Sequence, residues 1–273
     1  MLRPTSTGQL KLVAVGGCEN SNHACQITPK RFKQLSAKQE PTTTQMTVGN
    51  GFSTLNEKSL HASLKSWYSQ PGDKLEEPLD GFFIDILRND LCLEIQTGNF
   101  SAIRRKLWKL TKSRPVRLIY PIAIEKQIVR LAEDGVTELS RRRSPKRGSL
   151  LNICDELIYA PTLMLQENFS LEVLLIREEE LRLHHPEKYW RRKGWGTVER
   201  RLLEVVERRL FQEPDELLEL LPSGLPVPFT TADLAAGLQK PRELAQKLAY
   251  CLRALELVEL SGKSGNAHLY QLT

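Results

Sequence analysis

The chain has 273 residues, 40% hydrophobic and 26% charged, with 39 Lys and Arg against 33 Asp and Glu. That is enough for one large domain or two smaller ones, and 16 Gly with 15 Pro exclude a collagen-like or globally disordered chain. No apolar run reaches the roughly 18 residues of a membrane span and no signal-peptide pattern opens the sequence. Five scattered cysteines without a Cys-x-x-Cys pair suit a reducing, cytoplasmic compartment.

Residues 1–45 are rich in Thr, Ser, Gln, Lys and Gly, show no period, and read as a disordered extension. Cys18, His23 and Cys25 lie close together there, but too few ligands follow for zinc. Met46 directly precedes the first patterned segment, which makes it a candidate start. From Thr54 the pattern is helical, with Leu60, Leu64 and Tyr68 on one stripe. Gln70-Pro-Gly-Asp73 ends that helix. Two apolar runs, 81–87 and 91–96, flank Arg88-Asn-Asp90 and predict a hairpin. Asn99 or Ser101 can cap a helix with Phe100, Ile103, Leu107 and Leu110 on one face and Arg104, Arg105, Lys106, Lys109 and Lys112 on the other. A buried strand is expected at 115–120.

The segment 141–148 reads as a basic loop, 150–166 as mostly helical with a break at Pro161, and 171–177 as a strand. Glu178-Glu-Glu180 reads as a solvated helix start. The stretch Tyr189-Trp-Arg-Arg-Lys-Gly-Trp195 leads into an expected helix ending near Phe211. After a linker at 222–228, two helices (231–238 and about 241–255) and a hairpin around Ser261-Gly-Lys-Ser-Gly265 resemble a winged-helix module. The expected division is therefore 1–45, 46–212 and 213–273.

Charge is unevenly spread. Residues 101–147 hold 14 Lys or Arg against 4 Asp or Glu, an excess that a polyanion would screen. The expected partner is DNA, held by Arg104, Arg105, Lys106 and Lys109 on the helix and by Arg141, Arg142, Arg143, Lys146 and Arg147 in the loop. Arg191, Arg192 and Lys193, interleaved with Trp190 and Trp195, either hold phosphates beside stacked bases or snorkel away from a core. Residues 213–273 carry 5 basic and 8 acidic side chains, unlike the basic footprint of a DNA reader, so a protein or intramolecular role is expected for them.

The chemistry centres on the hairpin. Period-two alternation places Glu94 and Gln96 on one face of their strand. A two-residue turn at Asn89-Asp90 sets Asp85 directly opposite Glu94, where like charges are destabilising and a hard divalent cation would compensate. The alternative has both acids solvated and paired with nearby arginines. Glu57 completes a Thr54-x-x-Glu57 capping box or serves the metal site, and His61 lies one turn further on.

In this order, a helix bearing Glu57, a strand with Asp85, a strand with Glu94-Ile-Gln96, a basic helix and an apolar strand, the region 54–122 resembles the PD-(D/E)XK nuclease superfamily. The resemblance implies an α/β fold, a restriction-endonuclease-like αβα core with a mixed central sheet, here followed by a small winged-helix domain. It implies a Mg²⁺- or Mn²⁺-dependent DNA endonuclease in which Asp85 and Glu94 hold the metal, Gln96 orients the water and Glu57 assists. Gln96 departs from the family's lysine and brings no positive charge; Arg105 or Lys106 either replaces that charge or holds phosphates. The alternative reading is a catalytically inactive nuclease fold that binds nucleic acid as a regulator or assembly subunit. A third is a transcription regulator whose C-terminal module reads DNA. A protein partner on that module and a homodimer are compatible with these readings; a membrane is not.

Overall fold

A computed structural model describes residues 58–273, except the side chains of Lys58, Ser59 and Arg192. The expectations for residues 1–57 lie outside the described residues. These include the disordered extension with Cys18, His23 and Cys25, Met46, the capping box and Glu57.

Helix α1 (Lys58–Tyr68) forms where the sequence predicts it, burying Leu60, Leu64 and Tyr68. A three-stranded antiparallel meander follows, β1 (Lys74–Leu79), β2 (Phe82–Arg88) and β3 (Leu91–Ile95). Strand β1 was not anticipated, since its sequence, Lys-Leu-Glu-Glu-Pro-Leu, is polar and mostly exposed. The β2–β3 turn has two residues, with Asn89 at φ 53°, a conformation Asn tolerates. Helix α2 (Phe100–Leu110) crosses to β4 (Val116–Leu131), which runs parallel to β3. Strand β5 (Glu138–Arg143), a short helix α3 (Cys154–Leu157) flanked by 3₁₀ turns, β6 (Phe169–His184) and β7 (Trp195–Phe211) follow. The chain ends in α4 (Thr231–Leu238), α5 (Arg242–Ala254) and the hairpin β8 (Val258–Ser264) and β9 (Ala267–Leu272).

The fold is α/β, with a mixed seven-stranded sheet in the order β1-β2-β3-β4-β6-β7 and β5 also on β4. Two partners of β4 share its length, β3 pairing with residues 116–119 and β5 with 127–131, while β6 pairs along 116–131. One face of the first half packs on α1 through Leu60, Leu64, Ile86, Leu93, Ile119 and Leu174. The other packs on α2 and α3 through Cys92, Phe100, Leu107, Leu118 and Ile153. That second core continues past residue 212 into Leu244, Leu248 and Leu252 of α5. Among the described residues, no helix is long and apolar enough to cross a membrane.

Three expectations need correction. Residues 195–211 form a strand, not a helix. Register shifts leave Val198, Leu203 and Val206 outside the pairing with β6, and Leu203 and Val206 are exposed. Each such shift inserts a residue, so apolar positions recur at three- to four-residue intervals that imitate a helix. Residues 141–143 of the expected loop belong to β5. Glu178, Glu179 and Glu180 are buried in β6 rather than solvated at a helix start. They escape water only because cations from neighbouring strands meet them. Arg200 and Lys126 pair with Glu178 at 2.6 and 2.8 Å, Arg141 with Glu179, and Lys126 and Arg182 with Glu180 at 3.0 and 2.7 Å. Burial opposes ionisation of Glu180, but Thr197, Lys126 and Arg182 outweigh it and hold its pKa down at about 2.

Glu178 is fully buried, so removing a partner strands a charge in low dielectric. Arg200→Ala is expected to cost on the order of 3 kcal/mol in urea unfolding. Arg142→Ala, at an exposed side chain of β5 with no ion pair among the described residues, should change stability by less than about 0.5 kcal/mol.

Candidate functional site

The β2–β3 register pairs Arg88 with Leu91, Leu87 with Cys92 and Ile86 with Leu93. The pairing ends at Ile86 and Leu93, so the direct opposition of Asp85 and Glu94 expected from the two-residue turn is not part of the ladder. Ile84 belongs to the core under α2 and Ile86 to the core under α1, so the alternation of β2 reverses at Asp85. In β1, Glu76 interrupts the pairing at the matching point and has φ 52°, a costly backbone for a non-glycine residue.

The two carboxylates fill this irregularity in different ways. Asp85 Oδ2 accepts from the Ile95 amide at 2.8 Å and lies 3.2 Å from His61 Nε2. Lys65, one helical turn beyond His61, stands 3.7 Å from Oδ1 and also contacts Glu76. Burial alone would raise the Asp85 pKa, but His61, the Ile95 amide and Lys65 hold it below the usual aspartate value. Glu94 points towards α2, where Lys106 Nζ meets Oε2 at 2.6 Å and donates to the Phe83 carbonyl at 2.5 Å. Burial dominates here: with Asp85 nearby, it pushes the Glu94 pKa up to about 7 against the opposing effect of Lys106. Among the described residues, Glu94 Oε1 is buried and has no hydrogen-bond partner.

Gln96 Nε2 donates to the Gly98 carbonyl and, at 3.4 Å, to that of Asn99, which pins the turn into α2. Asn99, with φ 61°, makes no side-chain cap. The Phe100 amide instead donates to Glu156 of α3 at 2.9 Å. Lys65 and Glu156 were missed in the sequence. The i, i+4 spacing of His61 and Lys65 was the only local signal for the first; Glu156 lies 56 residues from its partner and gave none.

The basic residues divide into engaged and open sets. Lys106 is turned inward to Glu94, Lys109 donates to the Asp80 carbonyl at 2.7 Å, and Arg104 reaches the Tyr159 carbonyl at 3.4 Å. Arg141 is held by Glu138 and Glu179, and Arg143 by Glu125 at 2.8 Å. Arg105, Arg142, Lys146 and Arg147 are exposed, with no ion pair among the described residues. Arg191 stacks on the exposed Trp190, 4.9 Å from its ring centre, and Lys193 is exposed. Trp195 is half-buried against Arg130. The side chain of Arg192 lies outside the described residues.

Because folding raises the Glu94 pKa from 4.5 to about 7, the folded state binds this proton more tightly than the unfolded state. The resulting stabilisation is complete below pH 4.5 and is lost as pH rises through about 7. Lys106→Met removes the compensating cation. It is expected to destabilise the protein by on the order of 3 kcal/mol at pH 8 and by clearly less at pH 5, where Glu94 is neutral. Urea unfolding at the two pH values measures the difference.

A family profile described as a domain of unknown function, DUF8091, matches residues 58–212. That span contains α1, the whole seven-stranded sheet and both carboxylates. A relative from Treponema pallidum (strain Nichols), titled an uncharacterized protein, is 33% identical over 183 residues, covering 67% of this chain and 72% of the relative. No solved structure matches. The chain belongs to the DUF8091 family.

Proposed function

We propose that the chain is a divalent-metal-dependent DNA endonuclease with a restriction-endonuclease-like core and a winged-helix-like C-terminal module. The observation that carries this reading is a hairpin that sets Asp85 and Glu94 on adjacent strands, Asp85 against the Ile95 amide and Glu94 against Lys106. The element order supports it: a helix, an antiparallel three-stranded meander, a second helix and a parallel strand, which resembles the PD-(D/E)XK arrangement. Two helices and a hairpin at the C-terminal end support the second module.

The donor set fits a hard cation. Glu94 Oε1 is a buried oxygen with no hydrogen-bond partner among the described residues, and two carboxylates with waters and substrate phosphate satisfy Mg²⁺ or Mn²⁺. Among the described residues, no group of three or more His, Cys, Asp or Glu forms a ready metal cluster; the expected third acid, Glu57, lies outside them. Asp85 and Glu94 would hold the ion, which when bound supplies an activated water and a counter-charge for the phosphodiester transition state.

The protein's own groups do the rest. His61 and the Ile95 amide fix the Asp85 carboxylate. Lys106 brings to Glu94 the positive charge that Gln96 lacks, and its ammonium would stabilise charge developing on a bound phosphate. With its amide nitrogen committed to the turn at Gly98, Gln96 has its carbonyl oxygen left to orient water. Arg105, Arg142, Lys146 and Arg147 are the open cations for the DNA backbone. The same engagement of Gln96 favours a second reading, an inactive nuclease fold that binds nucleic acid as a regulator or assembly subunit.

Cleavage of supercoiled and single-stranded DNA with Mg²⁺ or Mn²⁺ separates the two readings. The active reading expects metal-dependent nicking that falls at least about 100-fold in Asp85→Ala, Glu94→Ala and Lys106→Ala. It also expects wild-type nicking to rise with pH through about 7 as Glu94 ionises. Nicking that survives the carboxylate substitutions places the chemistry elsewhere; salt-sensitive binding without nicking supports the inactive reading.

A further inference from the structure

The C-terminal module carries a groove that the proposed catalytic site does not use. It lies between α5 and the β8–β9 hairpin, has a volume of about 220 Å³, and is lined by Arg242, Gln246, Tyr250 and Arg253 of the helix and Asn266 and His268 of the hairpin. No lining residue is acidic. Neither Arg242 nor Arg253 makes an ion pair among the described residues. Arg242 is the first residue of α5, where the helix dipole disfavours a cation, so its own helix gives no reason for its charge.

Most of the acids of residues 213–273 are engaged in contacts of their own. Glu243 and Asp155 both hold Lys247, at 2.7 and 2.9 Å. Asp233 caps α4 through Thr230, Glu219 and Glu216 pair with Arg209, and Glu259 accepts from Gln271 at 2.6 Å. The acids are therefore largely consumed by the fold, while the groove presents uncompensated positive charge.

The groove's dimensions and composition define the ligand. Residues 242 and 253 stand eleven positions apart on one helix, about 16 Å along its axis, which is too far for a single phosphate and spans several nucleotides of a strand. Between them lies Tyr250, 56% exposed although large and aromatic, and beside them His268. A flat ring offered to solvent between two arginines is a stacking surface for a base flanked by phosphates, and only an unpaired base presents its face to such a ring.

We propose that this groove binds single-stranded nucleic acid, with Arg242 and Arg253 holding phosphates and Tyr250 stacking a base. Binding here does not require the catalytic reading to hold. On that reading, the groove would retain an unpaired strand in the same chain as a separate cutting site.

The test is fluorescence anisotropy of the full chain with a labelled 20-nucleotide single strand and the matching duplex, in EDTA so that cleavage cannot intervene. The wild type is expected to prefer the single strand. Arg242→Ala/Arg253→Ala should weaken that binding at least tenfold and flatten its log–log salt dependence by about 1.4, for two lost phosphate contacts. Tyr250→Ala should weaken it about tenfold, while Tyr250→Phe retains it. Photo-cross-linking of a bromouracil-substituted strand to wild-type protein, mapped by mass spectrometry, needs no variant and should label residues 242–270. Equal or tighter duplex binding, single-strand binding indifferent to all three substitutions, or cross-links confined to residues outside 242–270 would overturn the proposal. Loss of nicking with groove binding intact would remove the catalytic reading alone.

Discussion

The structure turns on a carboxylate and an ammonium set against each other beneath α2. Glu94 and Lys106 are both largely removed from water, and taking two such charges out of solvent costs more than most ion pairs return. A pair whose only purpose was stability would be better replaced by apolar side chains. Here the pair keeps a carboxylate near its protonation midpoint at neutral pH, with one oxygen unsatisfied. Perturbed groups of this kind concentrate at functional sites because strain and desolvation are tolerated there. The irregular register at Asp85 and the positive φ of Glu76 lie on the neighbouring strands β2 and β1, and the engaged Gln96 is two residues from Glu94.

The remainder of the sheet makes a second use of buried charge. Glu172 lies on the α1 face, 2% exposed, held by Arg208 at 2.6 Å and by the Tyr68 hydroxyl. Burial, and then the charge of Glu172, push the Tyr68 pKa up to about 12, so that hydroxyl donates throughout the working pH range. This contact ties α1, which carries His61 and Lys65 to Asp85, to both β6 and β7. Beyond the cores under α1 and α2, β4, β5, β6 and β7 continue over the small apolar cluster of Val129, Leu131 and Leu181 and the Glu178–Glu180 charge network. Pairing charge to charge across strands lets the sheet extend where few apolar side chains are available to cover it.

Much of the site's frame was legible in the sequence, and the reasons differ by element. The hairpin and its register followed from a short polar turn between two apolar runs, and α1 and α2 from apolar stripes at helical spacing. Helix α5 and the terminal hairpin followed from the same signals. The long strand β7 was illegible because its bulges displaced Val198, Leu203 and Val206 and changed a two-residue period into something near a helical one. The triple glutamate was misread for a different reason: its cations come from residues 126, 141, 182 and 200, and only tertiary structure brings them together. The inward turn of Lys106 was equally hidden. A helix wheel placed it among the solvated cations, and the choice between phosphate and Glu94 depended on how α2 lies over β3. Net charge by segment does not show that several acids of residues 213–273 are engaged in caps and ion pairs, since those contacts exist only in the folded chain.

The proposed function rests on one physical claim, that Glu94 would exchange its proton for a divalent cation. Calorimetric titration of the full chain with Mn²⁺, at pH 6 and pH 8 in two buffers of different ionisation enthalpy, tests it directly. The account predicts binding accompanied by proton release at pH 6, falling away by pH 8 as Glu94 ionises unaided, and loss of both binding and proton release in Glu94→Gln. Absence of binding at both pH values, or binding that Glu94→Gln leaves unchanged, would contradict it.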